Sequence, residues 1–376
     1  MKLLIDATPL LKDLSGVGYV TYQYAKELKK LQNDTYFYYA WFYSSKLRQR
    51  PLGGYEKAVS FVKRFVPRPY QLTHAAKTAI FNYTLAKLKP DAFIQPNYIS
   101  FESFYDVPTY TFIHDLSHIR YKEFHPKERV EYFEKRLQKS IQNSKKIITI
   151  SNFTKNELIE LNLANEDMIE VIPNGVDDKF GPVSKEEFEP TGRKFRVNYK
   201  RFFLYVGTLE PRKNLKNLLL AYLDYLKETK EPLPLILAGG IGWRSEHFDD
   251  VLQKALQSGY VKLAGYVAEE ELIHLYGGAL AFLFPSFYEG FGLPPLEAMA
   301  CKTAVISSNT SSIPEVTGDA AILIDPHSPK QIKDAMINIQ SDSALASALA
   351  QKGLDRSRQF SWEKSAKRLY EIVKNG

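Results

Sequence analysis

"PSFYEGFGLPPLEAM" (285–299) sets two glutamates, Glu289 and Glu297, eight positions apart around a glycine turn and a Pro-Pro pair. The run before it, "ALAFLFPSF" (279–287), is nearly continuously apolar, as expected of a strand covered on both faces. "LPPLEAMA" (293–300) reads as a helix start, since proline is tolerated where helical N–H groups have no partner. Between them Gly290 and Gly292 allow a tight turn and close approach of a ligand to the backbone. Free N–H groups and the positive end of the helix dipole make such a place an anion site. Glu289 falls on the loop and Glu297 in the helix's first turn, so both border it. A carboxylate only accepts hydrogen bonds and therefore suits hydroxyl donors. An anion cradle beside two hydroxyl acceptors describes a nucleotide sugar; a loop acid beside a helix N-terminal acid is the plainer reading.

The surrounding chain supports an α/β fold. Its 376 residues exceed what one core usually serves, so two domains are expected. Composition is that of a globular protein, 44% hydrophobic and 25% charged. The N-terminus has no signal-peptide core, because Asp6 interrupts it, and no apolar run approaches a membrane span. The single cysteine, Cys301, excludes an internal disulfide framework and fits a reducing, cytoplasmic setting. A net charge of +7 points to an anionic partner without naming it.

Short apolar runs alternate with helical patterns, the sign of βα units and parallel sheets. Strands are expected at 2–7, 92–95, 109–115, 145–151 and 169–175, then at 201–207, 233–240, 261–266, 279–284, 303–308 and 320–325. In "PKERVEYFEKRLQKSI" (126–141), Val130, Phe133, Leu137 and Ile141 share one helix face. The apolar-poor stretch 181–194 reads as a linker. Two Rossmann-like domains facing across a cleft are the consistent architecture, with ligands at strand C-terminal ends.

Each candidate loop follows a strand. "SGVGY" (15–19) is a glycine loop, or a simple turn, lacking the dinucleotide fingerprint. His114 ends a strand, where it can meet a hydroxyl or a charge or cap a turn. His114 and His118 are four apart, but a zinc pair needs a helix there. "GTLEPRKNL" (207–215) puts Arg212 and Lys213 at a helix mouth, suited to phosphate or to a solvated turn. "GYVAEEEL" (265–272) offers backbone groups to a planar base. No D-x-D pair occurs, so a metal-bridged diphosphate is not expected.

These stretches, together with "FIHDLSHIRY", "ITISNFT", "VIPNGVD", "LAGGIGW" and "SSNTSSIPEVTGDAAILIDP", resemble family 4 retaining glycosyltransferases of the GT-B fold. The resemblance spans nearly the whole chain and is strongest to the branch that builds bacterial surface polysaccharides, including O-antigen mannosyltransferases. It implies an acceptor-side domain over 1–180 plus a returning helix in 361–376, and a nucleotide-sugar domain over 195–360. It also implies roles. Glu289 meets the donor sugar's hydroxyls beside the amides of Phe291 and Gly292. The Leu293 amide reaches the diphosphate, Glu297 holds the ribose, and Lys213 with Arg212 neutralises the leaving group. Gly16 and Gly18 close on the phosphates, His114 faces the sugar, and Tyr266–Val267 meets the base. Thr208 stands where many relatives place a further phosphate-binding arginine, and Lys302 replaces a usual glycine.

The implied reaction is metal-independent hexosyl transfer, with no cofactor, to a saccharide or lipid-linked acceptor in polysaccharide or lipopolysaccharide synthesis. A nucleotide-sugar 2-epimerase shares the architecture, and a nucleic-acid-binding protein would also use the charge. The paired glutamates speak against a nucleic acid. "YEKAVSFVKRFVPRP" (55–69) reads as a basic amphipathic helix, either a core helix or a contact with the inner face of an anionic membrane.

Overall fold

A computed structural model describes residues 1–11, 16–48, 69–240 and 249–376, giving the backbone alone for 69–75. Except for its last residue, the basic stretch 55–69 lies outside them. The chain divides into two units, one of residues 1–116, 128–175 and 362–376, the other of 117–127 and 176–361.

The second unit is built on β8 (Phe203–Val206), β9 (Leu235–Ala238), β10 (Val261–Gly265), β11 (Ala281–Phe284), β12 (Ala304–Ser308) and β13 (Ala321–Ile324). They form one sheet in the order β10-β9-β8-β11-β12-β13, parallel throughout. Strand side chains point alternately to opposite faces, which accounts for the continuous apolar runs. Phe203, Tyr205 and Leu283 enter a core with the helices Leu215–Glu228 and Pro329–Ser341. Leu204, Phe282 and Phe284 enter the opposite core, with the helices Glu269–Gly278 and Leu293–Ala300. The order of growth reverses between β8 and β11, so a crevice is expected outside their carboxyl ends.

The first unit carries β1 (Leu3–Asp6), β2 (Thr35–Tyr38), β3 (Tyr43–Ser44), β4 (Ala92–Gln95), β5 (Thr109–Ile113), β6 (Lys146–Thr149) and β7 (Ile169–Val171). Their order is β3-β2-β1-β4-β5-β6-β7, with β3 antiparallel to β2 and the remaining pairs parallel. The final helix, Trp362–Asn375, belongs to this unit. Its Trp362 ring meets Tyr24 edge-on at 5.6 Å, and Ser365 donates a hydrogen bond to the Pro173 carbonyl at 2.6 Å.

Every strand expected from the sequence is present. β2 and β3 were not expected; they arise from the aromatic run "TYFYYAWFY" (35–43), a strand-forming composition without clean alternation. The stretch expected as a linker, 181–194, is instead largely the helix Lys185–Phe195. Ser184 and Glu187 form a reciprocal capping box, with the Glu187 N–H on Ser184 Oγ at 3.2 Å and the Ser184 N–H on Glu187 Oε2 at 2.8 Å. Phe188 then packs on Phe202 at 5.7 Å, anchoring the helix to the second unit. Pro190 removes one helical hydrogen bond, and the cap with that apolar contact offsets it.

Candidate active site

Three loops at the carboxyl end of the second sheet are held together by one buried side chain. Asn214 follows the 3-10 turn Pro211–Lys213 and adopts the left-handed conformation, φ 59°. Its amide nitrogen donates to the Pro285 carbonyl after β11 at 2.9 Å and to the Pro326 carbonyl after β13 at 2.7 Å. Asparagine tolerates that backbone region better than most residues, and here both amide hydrogens are used. The Phe287 N–H also donates to the Arg212 carbonyl at 3.0 Å. The basic turn after β8 and the acidic loop after β11 are therefore fixed against each other.

That places Glu289 between two cations. Its Oε1 accepts from Lys213 Nζ at 2.6 Å and its Oε2 from Arg212 Nη1 at 3.1 Å. Arg212 also donates to the Tyr288 carbonyl at 2.6 Å and to Glu210 Oε1 at 2.9 Å. Glu289 is 7% exposed. Burial pushes its carboxyl pKa up, but Arg212 and Lys213 outweigh that and hold it below the usual range. Both cations are thus paired with carboxylate, a relation the residues' separate readings did not contain.

Gly292 caps the helix Leu293–Ala300 at φ 112°, and a Cβ there would lie 2.7 Å from Ile313 Cδ1, so only glycine fits. Pro294 and Pro295 both lack an N–H, so Leu293 carries the sole amide of the first three helical positions. Ser312 Oγ lies 2.8 and 2.9 Å from the Glu289 and Phe291 carbonyls, its one O–H shared between them, fixing the turn from behind.

Glu297 is the fifth helical residue, in the second turn rather than the first as expected. It is half-buried and accepts from the Tyr276 hydroxyl at 2.9 Å. Burial raises its pKa to about 7, against the opposing pull of the Tyr276 hydroxyl and Lys179. Tyr266 is 90% exposed beside the buried Val267 after β10. Thr208 is exposed, its carbonyl accepting from Tyr205 at 3.4 Å.

In the first unit Gly16, φ 48°, caps the helix Val17–Leu31, and Gly18 lies inside its first turn. His114 is buried just past β5, with Nε2 2.7 Å from the Pro96 carbonyl. A carbonyl only accepts, so Nε2 carries the proton. Burial lowers the ring's pKa despite Pro96 and Asp115, so His114 is a neutral group with Nδ1 as acceptor. In that form the ring can accept a hydrogen bond, and the lowered pKa disfavours the cation. Among the described residues no cluster of three or more His, Cys, Asp or Glu is arranged to hold a metal.

The fold brings Arg212, Lys213, Glu289, Phe291, Gly292, Leu293 and Glu297 into one unit, and Gly16, Gly18 and His114 into the other. Sequence reasoning missed Glu210, Asn214 and Tyr276. Only the asparagine ahead of a helical pattern was a readable signal.

The second sheet has a Rossmann order with two cations and a carboxylate at its switch point, and comparison with known proteins gives the family to which such a chain belongs. Residues 14–180 match the model described as Glycosyltransferase Family 4, and 189–356 that described as Glycosyl transferases group 1. The chain is 32% identical over 374 residues to O-antigen chain mannosyltransferase B of Escherichia coli, covering 96% of this chain and 97% of the relative. It is 32% identical over 272 residues to the serotype-specific mannosyltransferase WbdA of Escherichia coli, covering 69% of this chain and 33% of that one. In structure it is similar to sucrose-phosphate synthase from Thermosynechococcus elongatus, with TM-score 0.75, 18% identity and coverage of 100% and 99%. It is similar also to WaaG, a glycosyltransferase involved in lipopolysaccharide biosynthesis, with TM-score 0.73, 12% identity and full coverage of both chains. The fold is GT-B, and the chain belongs to glycosyltransferase family 4.

Proposed function

We propose that this glycosyltransferase moves a mannosyl group, with retention, from a nucleoside-diphosphate sugar to a saccharide or lipid-linked saccharide acceptor during surface-polysaccharide synthesis. The observation that carries the reading is the Glu289–Lys213–Arg212 cluster at the β8/β11 switch point. The names of the relatives, an O-antigen chain mannosyltransferase and a serotype-specific mannosyltransferase, support the sugar and the setting. The same names do not favour a 2-epimerase.

In this reading Glu289 accepts hydrogen bonds from the donor sugar's hydroxyls beside Phe291 and Gly292, and Glu297 from the ribose. Lys213, with Arg212 beside it and the Leu293 amide, neutralises the diphosphate as the anomeric C–O bond breaks. Gly16 and Gly18 approach the phosphates, neutral His114 accepts from a sugar hydroxyl, and the backbone at Tyr266–Val267 meets the base. The acceptor oxygen bonds to the anomeric carbon on the face the diphosphate leaves, and its proton passes to the departing phosphate oxygen. Neither metal nor cofactor takes part. Among the described residues no helix is long and apolar enough to cross a membrane. The enzyme works in the cytoplasm, meeting the inner face of the membrane peripherally, and its positive charge serves anionic substrate and lipid rather than nucleic acid.

The test is a panel of mannose and glucose donors on both UDP and GDP, with and without a saccharide acceptor, read by nucleoside-diphosphate release and by NMR of the new anomeric centre. A mannose donor should be consumed fastest, and the product should keep the donor's anomeric configuration. Conversion to a different nucleotide sugar without acceptor would mark an epimerase.

A further inference from the structure

The two cations around Glu289 are held differently. The anchors of Arg212 include Glu210 Oε1 on Nη2 at 2.9 Å, and Glu289 Oε2 and the Tyr288 carbonyl on Nη1 at 3.1 and 2.6 Å. Among the described residues, Lys213 Nζ has one carboxylate, Glu289 at 2.6 Å, and rests 5.0 Å from the centre of the Phe284 ring. A lysine on a flexible stem with one carboxylate can exchange it; a guanidinium held at several points must give up more contacts to move.

Glu210 is the unexplained member. It is 3% exposed, and Arg212 is the hydrogen-bond partner of its side chain. A buried carboxylate beside a diphosphate site opposes the substrate's charge, and burial without a partner would be costly. Its geometry accounts for it. It begins the turn Pro211–Lys213, and the Lys213 N–H donates to its carbonyl at 3.1 Å, so backbone and side chain both set the direction of the following two residues. Without Glu210, an arriving diphosphate would compete for Arg212 and draw it from the Tyr288 carbonyl, releasing the turn that aims Glu289.

We infer that Glu210 is a positioning residue that commits Arg212 to holding the Tyr288–Glu289 turn, leaving Lys213 as the cation that changes partner when the diphosphate binds. This rests on the reading that Glu289 addresses the donor sugar, and it narrows the role of Arg212 there from phosphate ligand to clamp.

The experiment compares E210A, E210Q, E210D, R212A, K213A and E210A/R212A. It measures kcat, donor KM, and binding of UDP and GDP by calorimetry, with melting temperature as a check on folding. K213A should weaken nucleoside-diphosphate binding about tenfold or more, whereas E210A and R212A should change it by less than about threefold. E210A should lower kcat by about tenfold to a hundredfold, the usual cost of a small misplacement at a reacting centre. E210Q keeps the length and the acceptor oxygen and should recover most of that loss. E210D keeps the charge but falls one methylene short, so it should not. E210A/R212A should be no worse than R212A alone. Multiplicative losses, E210D outperforming E210Q, or E210A weakening diphosphate binding as much as K213A would each overturn the inference. Wild-type turnover in R212A and K213A together would instead overturn the proposed site itself, whatever Glu210 does.

Discussion

The Lys213 ammonium lies 2.6 Å from Oε1 of Glu289, so the cation proposed for the leaving diphosphate is paired with the carboxylate proposed for the sugar. Under the proposed function donor binding requires an exchange, in which Lys213 would give up a carboxylate for phosphate and Glu289 an ammonium for hydroxyl donors. The pair keeps two buried charges compensated until the substrate arrives, since an isolated one would be costly.

Glu289→Gln should lower turnover by about a hundredfold to a thousandfold, the scale of losing one transition-state contact. Nucleoside-diphosphate affinity should hold or rise, because the competitor for Lys213 has been weakened. Titration calorimetry with UDP and GDP decides it: weaker binding in the variant would contradict the exchange.

Lys213→Ala should cut turnover by roughly ten- to a thousandfold. Wild-type activity should survive EDTA, as the metal-free reading requires. Abolition by the chelator with recovery on Mg²⁺ or Mn²⁺ would replace the lysine's role with a metal's.

Much of this was legible in the sequence because buried parallel strands are continuous apolar runs, and because Gly292 and the prolines mark a turn into a helix whatever surrounds them. Glu289, Arg212 and Lys213 each stood out as charged residues in post-strand loops. Their pairing did not, since it joins positions 76 and 77 residues apart through the β8–β11 adjacency. Glu210 and Tyr276 carry no local signal either. A glutamate before a proline or a tyrosine in an apolar helix becomes a site residue only through its tertiary partner. The helix Lys185–Phe195 was hidden by Pro190 and Gly192, and its stability comes from the cap and Phe188 rather than propensity.

The window from Lys46 to Lys77 carries eight Lys or Arg against one acid, Glu56. Anionic lipid attracts such segments by about 1 kcal/mol per basic residue near the surface. The enzyme should sediment with anionic liposomes at low salt and be released as salt rises. Changing Lys57, Lys63, Arg64 and Arg68 together to Ser should reduce sedimentation and spare donor hydrolysis. Wild type that ignores anionic vesicles would favour a freely diffusing acceptor.

Lys302 sits in the left-handed region at φ 55°, after the helix Leu293–Ala300. A side chain there costs roughly 1 kcal/mol relative to glycine. Lys302→Gly should therefore raise unfolding stability by up to about 1 kcal/mol, minus what glycine gains in unfolded-state freedom. Urea denaturation at fixed protein concentration reads the change, and a loss of stability would show that the lysine side chain has a compensating contact.

Glu297 gives a pH dependence near neutrality. Its pKa is raised from an ordinary 4.5 to about 7, chiefly by burial, so the folded protein binds a proton there that the unfolded chain has lost. Between those values stability falls as pH rises, and it levels off above about 7. Nucleotide affinity should move the other way. The ionised carboxylate is the better acceptor for ribose hydroxyls, so UDP or GDP binding should tighten as pH passes through about 7. Glu297→Gln should remove both effects, giving a flatter stability profile and a weaker affinity with no step near neutrality. Calorimetric titrations from pH 5.5 to 8.5 on both proteins make the comparison. A step of the same size and position in the glutamine variant would assign the titration to another group and withdraw Glu297 from the ribose.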